Sequence, residues 1–410
     1  MSARLGVALL VVLALVASSC GGGPAATPTP RAEEAGPTPT PIPILPTPTP
    51  KPPPPTPTPA QALPVRGEGV PTPVLHKALH YQSLPDGRVA CGVCFRCCVV
   101  QEGKLGFCHN KKNVGGRYYS LVYGRAAALQ VDPIEKEPAF HMYPGTHIYC
   151  LGTASCNNRC RFCQNWFLSQ QTLWQVASEE VSPREIVRRA QEAGCEGVSF
   201  TYNEPTVFYE YMLDVATLAR QEGLHTLFHT NGSMNRRPLL DLLQVMEGVT
   251  VDLKAFDAAF YREVCQSELQ PVLRTLEAIR AADRHLEVVN LVIPTLNDDP
   301  DTIDRMCQWM VRNLGRDVPL HFLRFFPAYK LQRLPATPVE TLEQAAAATD
   351  AAGLEYVYIG NLPGHPRNST RCPGCGTLLI ERVHFMVLGV SLDGGRCPTC
   401  GRAIPGLWPA

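Results

Sequence analysis

The 410-residue sequence has no net charge, because 37 Lys and Arg residues balance 37 Asp and Glu residues. It also lacks a stripe of basic residues, so we expect no nucleic-acid partner. The apolar run at residues 4–16, which opens with one arginine, is too short to span a bilayer comfortably. The 17 cysteines show no disulfide pairing pattern. Such usage suits metal ligation in a reducing compartment.

The short apolar run is typical of an export signal. Ala17-Ser-Ser-Cys20 follows it and resembles a lipobox, so residues 1–20 are predicted as a lipoprotein-type signal peptide with lipidation at Cys20. An ordinary cleaved signal or an uncleaved anchor is the alternative. A lipid anchor would hold the protein at a membrane, which conflicts with the reducing compartment that the cysteines favour. A cytoplasmic location therefore stays open.

A proline-rich segment follows the predicted signal. Residues 24–73 carry 19 of the 39 prolines, mostly as Thr-Pro repeats. Such a segment cannot bury a core and favours extended polyproline II, with a length of roughly 3.1 Å per residue. We therefore predict a disordered linker at residues 21–74.

The remaining chain is long enough for one large catalytic domain with small appendages. Short apolar runs alternate with amphipathic stretches, which predicts an α/β fold with a parallel sheet covered by helices. Strands are predicted at residues 147–152, 197–202, 225–230, 249–254, 286–293, 319–325 and 355–360. Helices are predicted at 183–192, 208–222, 238–246, 269–282, 302–314 and 339–352. In a barrel of such repeats, the chemistry lies at the carboxyl ends of the strands.

A group of three cysteines follows the first predicted strand. Cys156, Cys160 and Cys163 have the spacing C-x3-C-x2-C, and no fourth cysteine completes the set downstream. Three thiolates can hold three irons of a [4Fe–4S] cluster and leave the fourth iron open. A zinc knuckle or an ordinary electron-transfer cluster is the alternative, and each needs four ligands. Cys150, the nearest further thiol, lies within a predicted strand.

This motif resembles the signature of the radical S-adenosylmethionine (SAM) enzymes. The resemblance implies that SAM chelates the open iron and that one electron cleaves it to methionine and a 5′-deoxyadenosyl radical, which takes hydrogen from a substrate. It implies a partial (β/α)6 TIM-like barrel of radical SAM type, with small Cys-rich metal-binding appendages at both ends. An electron donor such as ferredoxin or flavodoxin is an expected partner.

Polar residues at the ends of the later predicted strands are candidate contacts for SAM and for substrate. Glu204 resembles the family's Gly-Gly-Glu element and could accept hydrogen bonds from the SAM ammonium group; a helix-capping or solvated Glu is the alternative. The other predicted cofactor residues are Thr230, Asn231, Gly232, Asp252, Lys254 and Asn290. A plain turn competes at Thr230–Gly232 and a simple salt bridge at Asp252–Lys254. His321 and Arg324 are the candidate substrate residues.

Two further cysteine groups lie at the two ends of the body. The first comprises Cys91, Cys94, Cys98 and Cys108. Four thiolates suit structural zinc, with a second iron–sulfur cluster as the alternative, and the adjacent Cys97 complicates the ligand assignment. The second comprises Cys372, Cys375, Cys397 and Cys400 in two C-P-x-C knuckles. It predicts a rubredoxin-like zinc ribbon, against a single iron or a disulfide pair.

Taken together, these landmarks resemble the radical SAM protein of the AmmeMemoRadiSam system, which is related to pyruvate formate-lyase activating enzymes. Matching segments include Asp132-Pro-Ile-Glu-Lys136 and Thr201-Tyr-Asn-Glu-Pro-Thr206. The predicted limits are 75–140 for the N-terminal Cys-rich segment, 141–365 for the radical SAM core and 366–410 for the ribbon. The predicted activity is radical SAM chemistry of the oxidoreductase type on an unidentified substrate. A glycyl-radical-enzyme activase acting on a partner protein and a membrane-tethered electron-transfer protein are the alternatives.

Overall fold

The computed structural model describes residues 74–409. The predicted signal peptide with Cys20, and all but the last residue of the predicted linker, lie outside the described residues. Within residues 74–409, no helix is both long enough and apolar enough to cross a membrane.

One eight-stranded sheet forms the centre of the fold. Its strands are β1 (Ala128–Pro133), β2 (His147–Gly152), β3 (Gly197–Phe200), β4 (His225–Thr230), β5 (Gly248–Asp252), β6 (His285–Val292), β7 (Leu320–Arg324) and β8 (Val357–Gly360). β2 to β8 are parallel and follow one another in chain order, while β1 pairs antiparallel with β2. All the parallel strands therefore end at the same rim.

Helices connect the successive parallel strands, as expected for parallel pairs, which need long crossover connections. They are α1 (Pro183–Glu192), α2 (Tyr209–Gln221), α3 (Arg236–Leu242), α4 (Leu269–Ala281), α5 (Pro300–Asn313) and α6 (Val339–Ala352). α1 begins after Ser182, whose side chain accepts a hydrogen bond from the Glu185 amide. α5 begins in the same way after Asp299, which accepts from the Thr302 amide. These caps satisfy free amides at the helix starts and fix where each helix begins.

The predicted fold class is confirmed, since six βα repeats and a last strand build an α/β barrel wall. The predicted helices 183–192 and 339–352 match α1 and α6 residue for residue. β1 and β8 form the two edges of the sheet, so among the described strands the wall does not close. β1 also brings residues 128–133 into the sheet, ahead of the predicted core limit at residue 141.

The N-terminal Cys-rich segment folds into short antiparallel strands. One three-stranded sheet joins Tyr81–Ser83, Val89–Cys91 and Val99–Val100, and another joins His76–Lys77, Arg117–Ser120 and Lys111–Val114. Arg125–Ala126 pairs with Glu179–Glu180. At the other end, the ribbon contains Thr370–Arg371, Leu378–Val383 and Met386–Val390. Short helical turns lie at Ile134–Lys136, Trp166–Ser169, Pro205–Phe208, Ala258–Phe260, Tyr261–Cys265 and Pro366–Asn368.

The C-terminal ribbon is attached to the barrel by buried polar contacts. Arg382 donates to the Phe140 carbonyl oxygen at 2.7 Å and lies 3.4 Å from the Glu135 carboxylate. The side chains of Arg382 and Glu135 are fully buried. His141 adds hydrogen bonds to the Pro405 carbonyl and to the Tyr358 hydroxyl. The ribbon is therefore an integral part of the folded body.

Candidate functional site

A cavity of about 980 Å³, part of it open to solvent, lies at the carboxyl ends of the parallel strands. Eight of the predicted site residues line it: Cys156, Cys160, Cys163, Glu204, Thr230, Asn231, Asp252 and Lys254. The fold therefore brings together residues that are far apart in the sequence.

The loop that carries the three cysteines is held by backbone contacts. The Arg159 amide donates to the Cys265 carbonyl oxygen at 2.9 Å, and the Arg161 amide donates to the Val264 carbonyl oxygen at 3.0 Å. The Asn203 side chain donates to the Ser155 carbonyl oxygen at 2.8 Å. These contacts hold the start and the middle of the loop, and Cys160 also packs in the hydrophobic core.

Cys156 and Cys160 are buried, and Cys163 is half-buried. Burial raises the pKa of Cys163 to about 11, and burial together with Glu204 raises the pKa of Cys156. The pKa of Cys160 is raised first by a hydrogen bond with the Cys265 thiol and then by burial. Thiols in such surroundings keep their protons unless a cation replaces them.

Glu204 is 2% exposed and accepts several hydrogen bonds. Its carboxylate accepts from the Thr230 hydroxyl at 2.8 Å, the Asn231 amide at 2.7 Å and the Thr206 amide at 3.1 Å. Burial raises the pKa of Glu204, and these donors oppose the rise. Glu204 thus caps the turn that begins at Pro205 and also faces the cavity. The capping role and the cavity position coexist.

A row of charged groups continues along the rim from β4 to β5. His229 lies 3.0 Å from Asp252 and 3.6 Å from Glu137, and the Lys254 ammonium lies 2.8 Å from Asp252. Burial alone would raise the pKa of Asp252, but Lys254 and His229 outweigh it and hold the pKa low. The carboxylate is therefore ionised, with a cation on each side.

The sixth strand contributes apolar side chains to the cavity wall. Val289 and Leu291 line the cavity, whereas Asn290 between them points to the other face of β6. The Asn290 side chain donates to the Leu253 carbonyl oxygen at 2.8 Å and lies 3.7 Å from the Met306 sulfur. Successive side chains of a strand alternate between its faces. This alternation corrects the expected contact between Asn290 and the cofactor.

The structure also corrects the two predicted substrate residues. His321 lies near the start of β7, at the opposite end of the barrel, where its Nε2 contacts Glu287 at 2.6 Å. It is fully buried against Phe140. Arg324 is at the correct end of β7, but its guanidinium donates to the Thr337 carbonyl oxygen at 2.8 Å. Its neighbour Leu323 lines the cavity instead.

Gly232 contributes its backbone rather than a cavity surface. Its φ is +72°, and a Cβ at this position would press on Val251 and Val272. Its amide donates to the Thr230 hydroxyl at 3.1 Å. Glycine is therefore required for the turn that brings Thr230 and Asn231 to the cavity.

Several residues of the site were not predicted from the sequence. Asn203 and Asn361 line the cavity, Asn158 lies between two of the cysteines, and Cys265 contacts Cys160. Asn203 and Asn361 directly follow the ends of predicted strands, so their position in the sequence could have indicated that they line the cavity. Cys265 gave no such signal, because its approach depends on the helical turn Tyr261–Cys265.

The residues fit an iron–sulfur cluster with a polar cofactor. Asn158 lines the cavity and is 1% exposed, yet neither its side-chain oxygen nor its nitrogen has a hydrogen-bond partner. A buried amide facing a cavity in this state calls for a polar ligand. Among the described residues, Cys156, Cys160 and Cys163 do not bring all three sulfurs within 4.8 Å of one another. They are therefore spaced too widely for one small ion.

The ribbon cysteines, in contrast, form a compact four-sulfur site. Cys372, Cys375, Cys397 and Cys400 have their sulfurs within 4.8 Å of one another. The Cys372–Cys400 and Cys375–Cys397 sulfur separations are both 3.6 Å. Four sulfurs at tetrahedral positions around one zinc would lie about 3.8 Å apart. The arrangement fits a single tetrahedral metal ion.

Comparison with known protein families gives one match for this region. The model of the radical SAM superfamily matches residues 151–307, which extend from the second strand of the sheet into α5. The matched segment contains the cysteine loop and the rim residues from Glu204 to Lys254.

Three relatives show how far the similarity extends. An uncharacterized protein of Methanocaldococcus jannaschii is 42% identical over 332 residues, which cover 80% of this chain and 99% of that protein. The benzylsuccinate synthase activating enzyme of Thauera aromatica is 23% identical, with 63% of this chain and 84% of that enzyme covered. The pyruvate formate-lyase 1-activating enzyme of Escherichia coli K12 is 22% identical, with 50% and 88% covered.

Proposed function

The chain belongs to the radical SAM superfamily, and from this premise we propose that it cleaves SAM reductively and abstracts hydrogen from a substrate. Radical SAM enzymes use a [4Fe–4S] cluster and SAM, and the three cysteines and the polar rim fit both. One electron would break the S–C5′ bond of SAM, giving methionine and a 5′-deoxyadenosyl radical. The convergence of Cys156, Cys160 and Cys163 with Glu204 and Asp252 on one cavity carries the proposal.

We assign Cys156, Cys160 and Cys163 as the cluster ligands. Asn231 donates to the Asn157 side chain at 2.8 Å and lies 3.8 Å from the Cys156 sulfur, which ties the cluster loop to the end of β4. Ser169 lies 3.1 Å from the Cys163 sulfur. Polar groups near the sulfurs tune the potential of such a cluster.

The rim residues would bind the charged end of SAM. Glu204 offers a carboxylate to the ammonium group, and Lys254 offers an ammonium to the carboxylate. Asp252 keeps Lys254 ionised and in place through their 2.8 Å contact. Val289, Leu291 and Leu323 form an apolar part of the cavity wall, which would help to exclude water around bound SAM.

The identity of the hydrogen donor divides the candidate reactions. The activating-enzyme names of two relatives favour a partner protein as substrate, as in a glycyl-radical-enzyme activase, and this is the second candidate. The first candidate is a radical SAM enzyme that acts on another substrate. Its substrate is defined only as a molecule that reaches the cavity. Participation in the AmmeMemoRadiSam system stays a prediction, as does an electron donor of the ferredoxin or flavodoxin type.

The ribbon would hold zinc. The 3.6 Å sulfur separations and the closed set of four thiols support this assignment. The site lies beneath the barrel rather than at the cavity, so a structural role is expected.

The proposed location is at a membrane, through a lipid on Cys20, with a cytoplasmic protein as the alternative. The proposal depends on the lipobox-like sequence alone.

Product analysis under anaerobic conditions tests the function. The protein is reconstituted with iron and sulfide, reduced with dithionite and given SAM; release of 5′-deoxyadenosine is expected. Cys160→Ala should abolish release, whereas Cys195→Ala, at a cysteine remote from the cavity, should retain it. An intact cluster in the wild type with no 5′-deoxyadenosine would favour the electron-transfer protein. Transfer of deuterium from a labelled candidate substrate into 5′-deoxyadenosine would then identify the hydrogen donor.

A further inference from the structure

Glu137 places a carboxylate inside the barrel, although it belongs to none of the strands of the central sheet. It lies between β1 and β2, directly after the helical turn Ile134–Lys136. In the same segment, Met142 forms one buried cluster with Cys150 on β2 and Leu227 on β4. The Glu137 side chain is only 3% exposed. A carboxylate so far from water needs compensating partners.

Each carboxylate oxygen of Glu137 faces one other side chain. Oε1 accepts a hydrogen bond from the Cys150 thiol at 3.3 Å. Oε2 is buried and accepts no hydrogen bond among the described residues, and it lies 3.6 Å from Nδ1 of His229. A buried carboxylate oxygen without a hydrogen bond is costly unless a cation lies beside it. His229 is therefore the group that compensates the charge of Glu137.

His229 is held between two carboxylates. Its Nδ1 faces Glu137, and its Nε2 lies 3.0 Å from Oδ1 of Asp252. A neutral imidazole has one N–H, so its other nitrogen would turn a lone pair toward one of the two carboxylates. The imidazolium form offers an N–H to both. The geometry therefore requires a histidine cation as long as Glu137 keeps its charge.

Asp252 connects this histidine to Lys254. One oxygen of Asp252 faces His229, and the other lies 2.8 Å from the Lys254 ammonium. The backbone of Lys254 is fixed separately, because its amide donates to the Tyr261 hydroxyl at 3.0 Å and its carbonyl oxygen accepts from Asn297 at 2.6 Å. The contact with Asp252 then sets the direction of the Lys254 side chain.

Glu137, His229, Asp252 and Lys254 thus form a charge chain that leads from the barrel interior to the cavity. Its charges alternate in sign and sum to zero. The last three members line the cavity, and Glu137 lies behind them. An ammonium group has three N–H donors, and the contact with Asp252 uses one of them. Lys254 therefore keeps donors for a further anion in the cavity.

We propose that Glu137 is a positioning residue for SAM, which keeps His229 charged and thereby leaves the Lys254 ammonium free to bind the SAM carboxylate. The inference rests on the proposed SAM cleavage and assigns Glu137 no contact with SAM. Without the charge of Glu137, a neutral His229 can satisfy Asp252 with its single N–H. Lys254 is then the one cation beside Asp252, so Asp252 attracts the ammonium more strongly and weakens its hold on the SAM carboxylate.

Binding of SAM without reduction tests this role apart from catalysis. The protein is reconstituted with iron and sulfide and kept oxidised, so that SAM binds but is not cleaved. Glu137→Gln keeps the shape of the side chain and removes its charge. Isothermal titration calorimetry should show a dissociation constant for SAM that is about tenfold higher, as is usual when a group that orients a ligand-binding residue is removed. The iron content should match that of the wild type. An unchanged dissociation constant would overturn the proposal.

Glu287→Gln is a matched control at the opposite end of the barrel. Glu287 is also a fully buried carboxylate between two imidazoles, with His321 at 2.6 Å and His285 at 2.9 Å. This variant should lose stability but bind SAM as the wild type does, because Glu287 lies with His321 away from the cavity. An equal loss of SAM affinity in both variants would overturn the specific role of Glu137.

A double-mutant cycle tests whether Glu137 acts through His229. His229→Gln should also weaken SAM binding, and adding Glu137→Gln to it should change the dissociation constant by less than about twofold. Additive losses would contradict a path through His229. If Glu137→Gln does not fold by itself, the comparison of His229→Gln with the double variant still decides the question, because the double variant removes both charges of the pair together.

The rate of cleavage at saturating SAM separates positioning from chemistry. After reduction with dithionite, Glu137→Gln should need more SAM to reach half its maximal rate, while its maximal release of 5′-deoxyadenosine stays within about twofold of the wild type. A lower maximal rate with an unchanged SAM dissociation constant would rule out the positioning role. A wild type that binds no SAM would defeat the proposed function and this inference together. Normal cleavage by the wild type with unaltered SAM binding in Glu137→Gln would defeat the inference alone.

Discussion

The imidazole Nε2 of His229 lies 3.0 Å from the Oδ1 atom of Asp252, across the ends of two adjacent strands. Burial alone would lower the pKa of His229, but Asp252 and Glu137 outweigh it and raise the pKa to about 10. The histidine is therefore a fixed cation at neutral pH, inside the rim of the cavity.

This pair predicts a loss of stability in alkali. A folded-state pKa above the unfolded value gives stability that is complete below the unfolded pKa of about 6.5 and lost as the pH rises through about 10. His229→Gln should flatten this decline by on the order of 1–2 kcal/mol, since the side chain is 20% exposed and partly screened. Denaturant unfolding of the holoprotein at pH 7 and pH 10 measures the loss of unfolding free energy between the two pH values. His147 is exposed, so His147→Gln is the control and should lose as much stability as the wild type. An equal loss of stability between pH 7 and pH 10 in all three proteins would contradict the prediction.

Cys265 tests whether the fourth iron is open. The Arg159 amide of the cluster loop donates to the Cys265 carbonyl oxygen at 2.9 Å, and the Cys265 thiol raises the pKa of Cys160. We expect Cys265→Ala to keep the cluster iron and the spectral change on adding SAM. A wild-type cluster that SAM leaves unchanged, but that becomes SAM-responsive in Cys265→Ala, would identify Cys265 as a fourth ligand.

The buried pair of Arg382 and Glu135 predicts strong coupling between ribbon and barrel. Arg382→Leu leaves the Glu135 carboxylate buried beside the Gly145 amide alone, so it should cost about 3–5 kcal/mol of the free energy of unfolding. Adding Glu135→Leu should restore part of that loss. Arg188→Leu, which removes an exposed ion pair on α1, should cost less than about 1 kcal/mol. A double variant no more stable than Arg382→Leu would argue against the coupling.

Removal of a ribbon ligand should affect stability more than chemistry. Cys372→Ala should release zinc and lower the free energy of unfolding by on the order of 3 kcal/mol, because metal binding supplies folding energy in such modules. SAM cleavage at low temperature should persist, since the ribbon lies away from the cavity. Ser391→Ala on the same ribbon should retain both zinc and stability. Loss of cleavage in folded Cys372→Ala would assign the ribbon a direct role.

The proposed lipidation of Cys20 can be tested by labelling cells with palmitate and fractionating them. The full-length protein should carry the label and sediment with membranes, whereas Cys20→Ala should be unlabelled. A soluble, unlabelled wild type would show that the signal is not used.

Patterns within single segments predicted most of the fold. The alternation of apolar runs and amphipathic stretches located β2, which the structure places at the predicted residues 147–152, and α1 at residues 183–192. The spacing of the ribbon cysteines predicted a compact site, because two knuckles of two ligands each dictate their own geometry. Such features depend on residues close in sequence, so the sequence alone reveals them.

The candidate site was less predictable, because side-chain direction depends on strand register. Asn290 and Leu291 are neighbours in sequence, yet one faces Met306 and the other faces the cavity. The prediction for His321 was wrong for a different reason. Its strand was predicted correctly, but His321 lies at the end of that strand opposite the cavity. The contact of Cys160 with Cys265 joins two distant loops, and no local pattern reports it.

Because β1 and β8 are the two edges of the sheet, the described strands leave a gap in the barrel wall, here called the seam. Asn361, directly after β8, faces the cavity beside that seam. Substitutions in the segments flanking the seam could widen or narrow the entrance without breaking a single ladder between parallel strands. Substrates of different bulk could thus be accommodated while the metal ligands and the charged rim keep their geometry.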